Sequence, residues 1–281
     1  MGRRSKVVLG IIAVVLVILL VLLLPPSVLQ KRFAGIEQEF IQNLESTEDV
    51  FTLAELEGYP LPVQRFFIEG GFIGKQKMSG LKAVFSDVPF SLGVDKPTIS
   101  IDYTQINDAS EPLRFAYIDS HIYGLPFQGL DSFADGRGSM EGYLAKRIRL
   151  FNQRGRHMDK ACLVTYLAEA FFLPTVALSG MVSWEAMDDT HAKATMKAYG
   201  MEVSGVFTFS EKGEMLVFST EDRMAASMDG SLEQVPWSAE CGEYVIQDGL
   251  RVLTRLRATW HYPQGDLLYF DGKDVQVTYY Y

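Results

Sequence analysis

The sequence has few of the residues that most often carry chemistry. Its 281 residues include only four histidines and two cysteines. The histidines lie far apart and form neither an H-x-x-x-H nor an H-E-x-x-H pair. There is no G-x-S-x-G motif, and Gly136-Arg137-Gly138 is followed by Glu141 where a dinucleotide loop needs a third glycine. The motifs therefore support neither metal, nor serine-nucleophile, nor dinucleotide chemistry, and we expect no metal and no cofactor.

Acidic residues are missing from the start of the chain, and long apolar runs are missing from the rest of it. Residues 1–32 hold five of the 26 Lys and Arg residues and none of the 35 Asp and Glu residues. The remainder holds 21 cationic and 35 acidic residues, a formal charge of −14. An acidic main domain argues against a nucleic-acid partner and against lying flat on anionic lipid.

The one long apolar run is Val7 to Leu24, which contains no charged residue. As a helix it reaches roughly 27 Å, close to the ~30 Å hydrocarbon core of a bilayer. More cations precede the run than follow it, which favours a cytoplasmic N-terminus and an extracytoplasmic main domain. A cleaved signal peptide is the alternative, but Leu22 to Pro26 offers no small-x-small cleavage site. We predict a transmembrane signal anchor.

The chain after the anchor divides by its periodicity. We predict a cytoplasmic tail at 1–6, the anchor at 7–24, stalk and linker helices at 25–58, and one β-rich extracytoplasmic domain at 59–281. Within the second segment, Phe33 to Leu44 has an amphipathic helical pattern.

A short helix is predicted from the capping-box pattern at Thr52 to Glu55, and another over Val63 to Ile68. Leu163 to Phe171 has helical spacing and is apolar almost all round, with Asp159 as the expected N-cap. We expect this last helix to be buried against a sheet.

Alternating polar and apolar residues from Gly80 to Tyr281 predict at least nine strands. Hairpin turns are predicted at Glu211-Lys212-Gly213 and at the Asp-Gly pairs 229–230, 248–249 and 271–272. The predicted fold class is α+β, a large curled antiparallel β-sheet (half-barrel) packed on one apolar helix. An apolar cavity follows if the helix fills the concave face only in part.

For the cysteines and for one set of arginines, the sequence leaves alternatives open. Cys162 and Cys241 are either a disulfide or two buried free thiols, of which the thiols are favoured. Arg251, Arg255 and Arg257 share a strand face and are expected to pair with acidic residues across strands, with a lipid-phosphate site as the alternative.

Glu169 stands out because it is the only charged residue between Lys160 and Glu185. A carboxylate on a buried helix must be paired, hydrogen-bonded or protonated. The favoured interpretation is a structural ion pair with a cation such as Arg223 or an arginine of 251–257. The alternatives are a contact with a ligand's polar group and a general acid or base.

Several short motifs, in order, resemble those of an uncharacterised bacterial family known only as a domain of unknown function and often found behind a membrane anchor. They are Leu61-Pro62-Val63-Gln64-Arg65-Phe66-Phe67, Asp131 to Met140, Leu167 to Pro174, Val182-Ser183-Trp184 with Asp188-Asp189, Asp222-Arg223 and Pro236-Trp237. Phe172 stands where the family pattern has Trp. The resemblance implies a shape similar to the half-barrel of bacterial lipoprotein carriers and implies no activity.

Our leading hypothesis is a bacterial single-pass membrane protein, leaning away from an enzyme, that binds or shuttles an apolar or lipid-like ligand in the sheet's cavity. The alternative is a cell-envelope interaction or scaffold protein, which predicts a filled core and an exposed apolar or charge-patterned patch. A hydrolase using Glu169 with Asp188 or Asp189 is the third class. The predicted ligand-binding residues are Glu169, Tyr166, Trp184, Arg223 and Trp260.

Overall fold

The computed structural model describes residues 2–23, 26–226 and 231–281. Four α-helices are α1 (Arg3–Leu23), α2 (Val28–Asn43), α3 (Leu61–Glu69) and α4 (Arg156–Ala168), and 3-10 turns cover Ala54–Leu56 and Pro174–Leu178. The strands are β1 (Gly80–Ser91), β2 (Thr98–Asp108), β3 (Arg114–Ile122), β4 (Leu125–Ala134), β5 (Arg137–Leu144), β6 (Ile148–Arg154), β7 (Val182–Ala186), β8 (His191–Ala198), β9 (Met201–Phe209), β10 (Met215–Thr220), β11 (Met224–Ala226), β12 (Leu232–Gln234), β13 (Trp237–Gln247), β14 (Leu250–Tyr262), β15 (Gly265–Gly272) and β16 (Gln276–Tyr280).

Fourteen strands form one antiparallel sheet in the order β6-β5-β4-β3-β2-β1-β15-β14-β13-β10-β9-β8-β7, with β16 paired to β1. Helix α4 contacts β4, β5 and β6 near one edge and β9 near the other. Nine strand spacings separate β5 from β9, about 43 Å in a flat sheet, whereas a helix is only about 10 Å wide. The sheet therefore curls around α4, as predicted.

Different helices cover the two faces of the sheet. The concave face meets α3 and α4 in the main core, which includes Phe67, Leu163, Phe171 and Phe207. A close approach of α4 to β5 depends on Gly138, because a Cβ there would lie 2.8 Å from the Cys162 Sγ. The convex face meets α2 in a second core with Phe33 and Leu130. The concave face is thus filled by side chains over most of its width.

Most predicted elements are present, with shifted ends. Helix α4 begins after Gly155 rather than at Asp159, whose carboxylate instead accepts the Gly138 N–H at 2.7 Å. The capping box at Thr52 is half formed, since the Thr52 hydroxyl accepts the Glu55 N–H while Glu55 pairs with Lys77, and only a 3-10 turn follows.

The predicted hairpin turns differ in outcome. Asp248-Gly249 adopts positive φ at both residues, and Gly213 also has positive φ, as hairpin turns of these types require. The prediction at Asp271-Gly272 is wrong: both residues lie in β15, where Phe85 and Phe270 leave no room for a Cβ on Gly272. The turn predicted at 229–230 lies outside the described residues.

Helix α1 covers most of the segment that was predicted to be a transmembrane anchor. Among the described residues, no helix combines the length and apolarity needed to cross a bilayer. The transmembrane anchor is therefore not supported by the structure and stays a prediction, as do the domain boundaries. Helix α2, in the segment predicted as a stalk, packs on the sheet with Leu29, Phe33 and Phe40 buried.

Candidate functional site

The concave face holds a buried polar cluster around Glu169, at the C-terminal end of α4. Arg114, at the start of β3, is only 4% exposed and donates from Nε to both Glu169 carboxylate oxygens, at 3.1 and 3.0 Å. Its Nη1 reaches Asp131 Oδ2 at 2.7 Å, and its Nη2 donates to the Tyr103 hydroxyl. The guanidinium thus joins β2, β3 and β4 to the end of α4.

Two amides complete the partners of Glu169. The side chains of Gln105 and Asn107, which share the inward face of β2, donate to Glu169 Oε2 at 2.8 and 2.7 Å. The carboxylate therefore accepts four hydrogen bonds and faces a cation. This confirms the interpretation of Glu169 as a structural ion pair, but the predicted partners were wrong, because the cation is Arg114 and not Arg223 or an arginine of 251–257.

Burial and charge shift the titration of the groups around Glu169. Burial alone lowers the pKa of the Arg114 guanidinium, but the adjacent Glu169 and Asp131 carboxylates outweigh it and raise that pKa well above its ordinary value. Burial raises the pKa of the Tyr103 hydroxyl, and it does the same for the Tyr166 hydroxyl. Arg114 therefore stays charged and both tyrosines neutral across the physiological range.

The second cluster lies where β13, β14 and β15 meet. The Arg223 guanidinium carbon stands 4.3 Å from the centre of the Trp237 ring and 5.2 Å from that of Trp260. Trp260 in turn stacks on Tyr269 at 6.2 Å, and the Trp237 Nε1 donates to the Tyr269 hydroxyl at 3.1 Å. The Arg223 Nε is buried and has no partner in the part of the chain that the structure describes.

The five predicted ligand-binding residues do not converge on one place. Glu169 and Tyr166 are near one end of α4, and the Tyr166 hydroxyl donates to the Asp108 carbonyl at 2.7 Å. Arg223 and Trp260 form the second cluster. Trp184 packs between Phe171 and Phe207 in the main core and donates from Nε1 to the Ala177 carbonyl at 2.9 Å. The structure shows internal partners for all five side chains, and their role in ligand binding stays a prediction.

The carboxylates of the hydrolase hypothesis have separate partners. Asp188 is exposed and accepts the backbone N–H groups of Thr190 and His191 at 2.8 Å in a tight turn. The Thr190 N–H and the His191 side chain hold the pKa of the Asp188 carboxyl below its usual range. The Arg65 guanidinium meets the backbone carbonyl of Asp189. Asp188 is therefore a satisfied turn residue, while Glu169 is enclosed under α4.

One hydrogen-bonded chain was missed by the sequence analysis. His261 Nε2 lies 2.8 Å from Ser238 Oγ, and His261 Nδ1 lies 2.9 Å from Asp266 Oδ1. This connectivity is that of a nucleophile, a base and an orienting acid. Ser238, however, lies in a central strand that is paired on both sides. The backbone N–H of His261 donates to the Pro236 carbonyl, so it too is used within the sheet. No contiguous motif could reveal it, because three strands supply its members.

The cysteines and two of the three stripe arginines follow the favoured interpretations, whereas Arg251 donates from Nη1 to the Lys212 carbonyl at 2.7 Å instead of pairing with an acidic residue. Cys162 and Cys241 are both free, and burial raises the pKa of each thiol. Arg255 donates to Glu243 at 2.7 Å and to Asp271 at 3.0 Å, while Arg257 pairs with Glu240. Within the described residues, no group of His, Cys, Asp or Glu side chains is arranged to hold a metal ion.

The clefts on the surface of the described residues include two of a few hundred cubic ångströms. One, of about 310 Å³, lies between the loop after α2 and the end of β2. The other, of about 210 Å³, lies between β14 and β16. Its lining is Gln247, Asp248, Leu250, Val252, Val277, Thr278, Tyr279 and Tyr281. Neither is lined by a predicted ligand-binding residue, and the apolar cavity predicted on the concave face stays a prediction.

The fold and these clusters define an α+β protein whose antiparallel sheet wraps one buried helix. The chain belongs to DUF6544, a family of unknown function, whose model matches residues 49–272, which confirms the resemblance seen in the sequence. Among curated proteins, no relative matches. A LolA superfamily protein from Nitrosomonas europaea has a solved structure similar to this chain, with 10% identity, 76% of this chain and 92% of that chain covered, and a TM-score of 0.35.

Proposed function

We propose that this protein is a non-enzymatic binding protein that takes an apolar, lipid-like ligand at the cleft between β14 and β16. The observation that carries the proposal is that this cleft brings core side chains to the surface. Leu250, Val252 and Val277 belong to the main core and also line the cleft. An apolar group that enters it exchanges water for core side chains, which is favourable in proportion to the apolar area covered.

The cleft exists because the strand ladder is interrupted there. Strand β14 pairs with β15 only from Leu256 onward, and β16 pairs with β1. At the edges of this gap, the Val275 N–H donates to the Thr254 carbonyl and Gln247 Nε2 donates to the Val277 carbonyl. A ligand with an apolar tail and a polar end suits such a place, because Gln247, Asp248 and Thr278 stand among the apolar lining residues.

The test is native mass spectrometry of the full chain, with extraction and identification of copurifying lipids. We expect a bound apolar molecule in the wild type and its loss in Thr278→Trp, where a large ring fills the cleft. Gln276→Trp is the matched control, because Gln276 is exposed on the same face of β16 but does not line the cleft. A wild-type mass without ligand, unchanged after incubation with fatty acid or phospholipid, would falsify the proposal.

The second candidate is the envelope interaction or scaffold protein. It is favoured by the filled concave face, where α3 and α4 occupy the space that a carrier of large ligands would keep open. If this second candidate is right, the same experiment should show no ligand uptake, and part of the protein surface should be covered by a protein partner.

A further inference from the structure

The β5–β6 hairpin and its flanking residues form a dense cationic segment in an acidic chain, and three of its cations lie at or next to the hairpin tip. Residues 137–156 contain six of the 26 Lys and Arg residues but only one of the 35 acidic residues, Glu141, which is itself paired with Arg32. Lys146, Arg147 and Arg149 form none of the ion pairs found among the described residues. No carboxylate among the described residues therefore compensates their charges, and Arg147 and Arg149 are exposed.

Exposed apolar side chains lie among these cations. Tyr123, at the β3–β4 tip, is 95% exposed, and Ile148 and Leu150 on the edge strand β6 are 51% and 46% exposed. The two hairpins are joined next to their tips, since the Ala145 N–H donates to the Pro126 carbonyl at 2.7 Å. We call this surface the tip patch; it comprises Tyr123, Leu125, Lys146, Arg147, Ile148, Arg149 and Leu150.

The tip patch also meets the chain where it leaves α1. The backbone N–H of Val28, the first residue of α2, donates to the Lys146 carbonyl at 3.4 Å. Helix α1 precedes this point by a few residues, and its described apolar side chains, such as Leu9, Ile12 and Leu16, are exposed. Two apolar surfaces are thus connected by a short stretch of chain at one end of the sheet.

We propose that the tip patch docks on a bilayer surface that contains anionic phospholipid. An aromatic side chain with a polar tip, aliphatic neighbours and unpaired cations is the combination that the headgroup region favours. The acidic remainder of the domain is repelled by the same surface, so the docked orientation has the hairpin tips toward the lipid. This inference does not depend on the β14–β16 cleft.

The test uses the full chain reconstituted with vesicles that contain bromine-labelled lipid, which quenches nearby tryptophan. A Tyr123→Trp variant reports on the tip patch. An Ile246→Trp variant is the control, because Ile246 is exposed next to the β13–β14 turn at the opposite end of the sheet. We expect additional quenching at position 123 in vesicles with anionic lipid, less quenching in neutral vesicles or high salt, and little at position 246.

Charge removal makes the test specific. Neutralising Lys146, Arg147 and Arg149 to Gln lowers the ratio of docked to undocked protein by about 100-fold, because each cation near an anionic surface contributes roughly fivefold. Neutralising the exposed Lys193, Lys197 and Lys212 changes the charge equally and leaves the ratio within a few fold. Equal quenching at positions 123 and 246, or no quenching at 123 in anionic vesicles, overturns the proposal, and the latter result directs the search to a protein partner.

Discussion

Two arginines on the same curled sheet are held in opposite ways. Arg114 is enclosed by carboxylates, amides and a hydroxyl beneath α4, and its Nε, Nη1 and Nη2 all donate to side chains. Arg223 lies against two indole rings, and its Nε is buried without a partner among the described residues. The first arrangement fixes α4 to the sheet through directed hydrogen bonds. In the second, ring faces hold the Arg223 cation, and they fix its position less strictly than hydrogen bonds do.

The two arginine clusters should differ in how much stability a substitution costs. Removing one member of a fully satisfied buried pair exposes the other to an uncompensated desolvation cost. A cation on aromatic rings leaves no charged partner behind when it is removed, and the rings keep their own contacts. The Arg114 cluster should therefore resist substitution much more strongly than the Arg223 cluster.

The largest expected effect comes from Arg114→Leu. It leaves Glu169 and Asp131 under α4 without their cation, and we expect the free energy of unfolding to fall by about 3–5 kcal/mol. Urea unfolding followed by far-UV circular dichroism measures this change. The double variant Arg114→Leu with Glu169→Leu should recover part of the loss, because one of the two carboxylates left without a cation is gone. A single-variant loss below about 1 kcal/mol would contradict a tightly coupled cluster.

The partner of Glu169 shows where sequence reasoning stopped. The isolation of Glu169 within an apolar stretch correctly predicted a buried pair, because a buried carboxylate requires compensation. Its cation could not be chosen, since Arg114 is 55 residues away and stands at the first position of a strand after a polar loop. The antiparallel register of β2 and β3 sets Arg114 opposite Asn107, and no local pattern specifies that register.

Periodicity predicted the sheet better than it predicted the space inside it. Alternation over β2, β8, β9 and β14 was sufficient for the strands, because inward residues must be apolar on a half-buried sheet. The same alternation is produced by an open cavity and by a packed core, so the filled concave face could not be foreseen. The clefts lie at a ladder interruption and at a loop, which depend on pairing between distant strands.

A smaller effect is expected from Arg223→Leu. The loss of cation–π attraction lowers the free energy of unfolding by about 1 kcal/mol, and removal of the orphaned Nε offsets part of it. Arg223→Lys keeps a cation near the rings and should lie between the variant and the wild type. The measurement is the same urea titration, with tryptophan fluorescence as a second probe. A loss equal to that of Arg114→Leu would remove the distinction between the two clusters.

The smallest effect tests the residue beside Arg223. Burial by itself raises the pKa of the Asp222 carboxyl, but hydrogen bonds from Lys160 and the Ser204 N–H outweigh it and lower the pKa below its ordinary value. A lowered folded-state pKa means that Asp222 stabilises the fold above its unfolded-state pKa and loses that contribution as pH falls through the folded value. Because Asp222 and Lys160 are both partly exposed, Asp222→Asn should cost only about 0.5 kcal/mol at pH 7, and progressively less as the pH falls below about 4. Urea titrations at pH 7 and below pH 4 give the difference in stability between the wild type and the variant, and a difference that grows at acid pH would show that the folded-state pKa of Asp222 is raised rather than lowered.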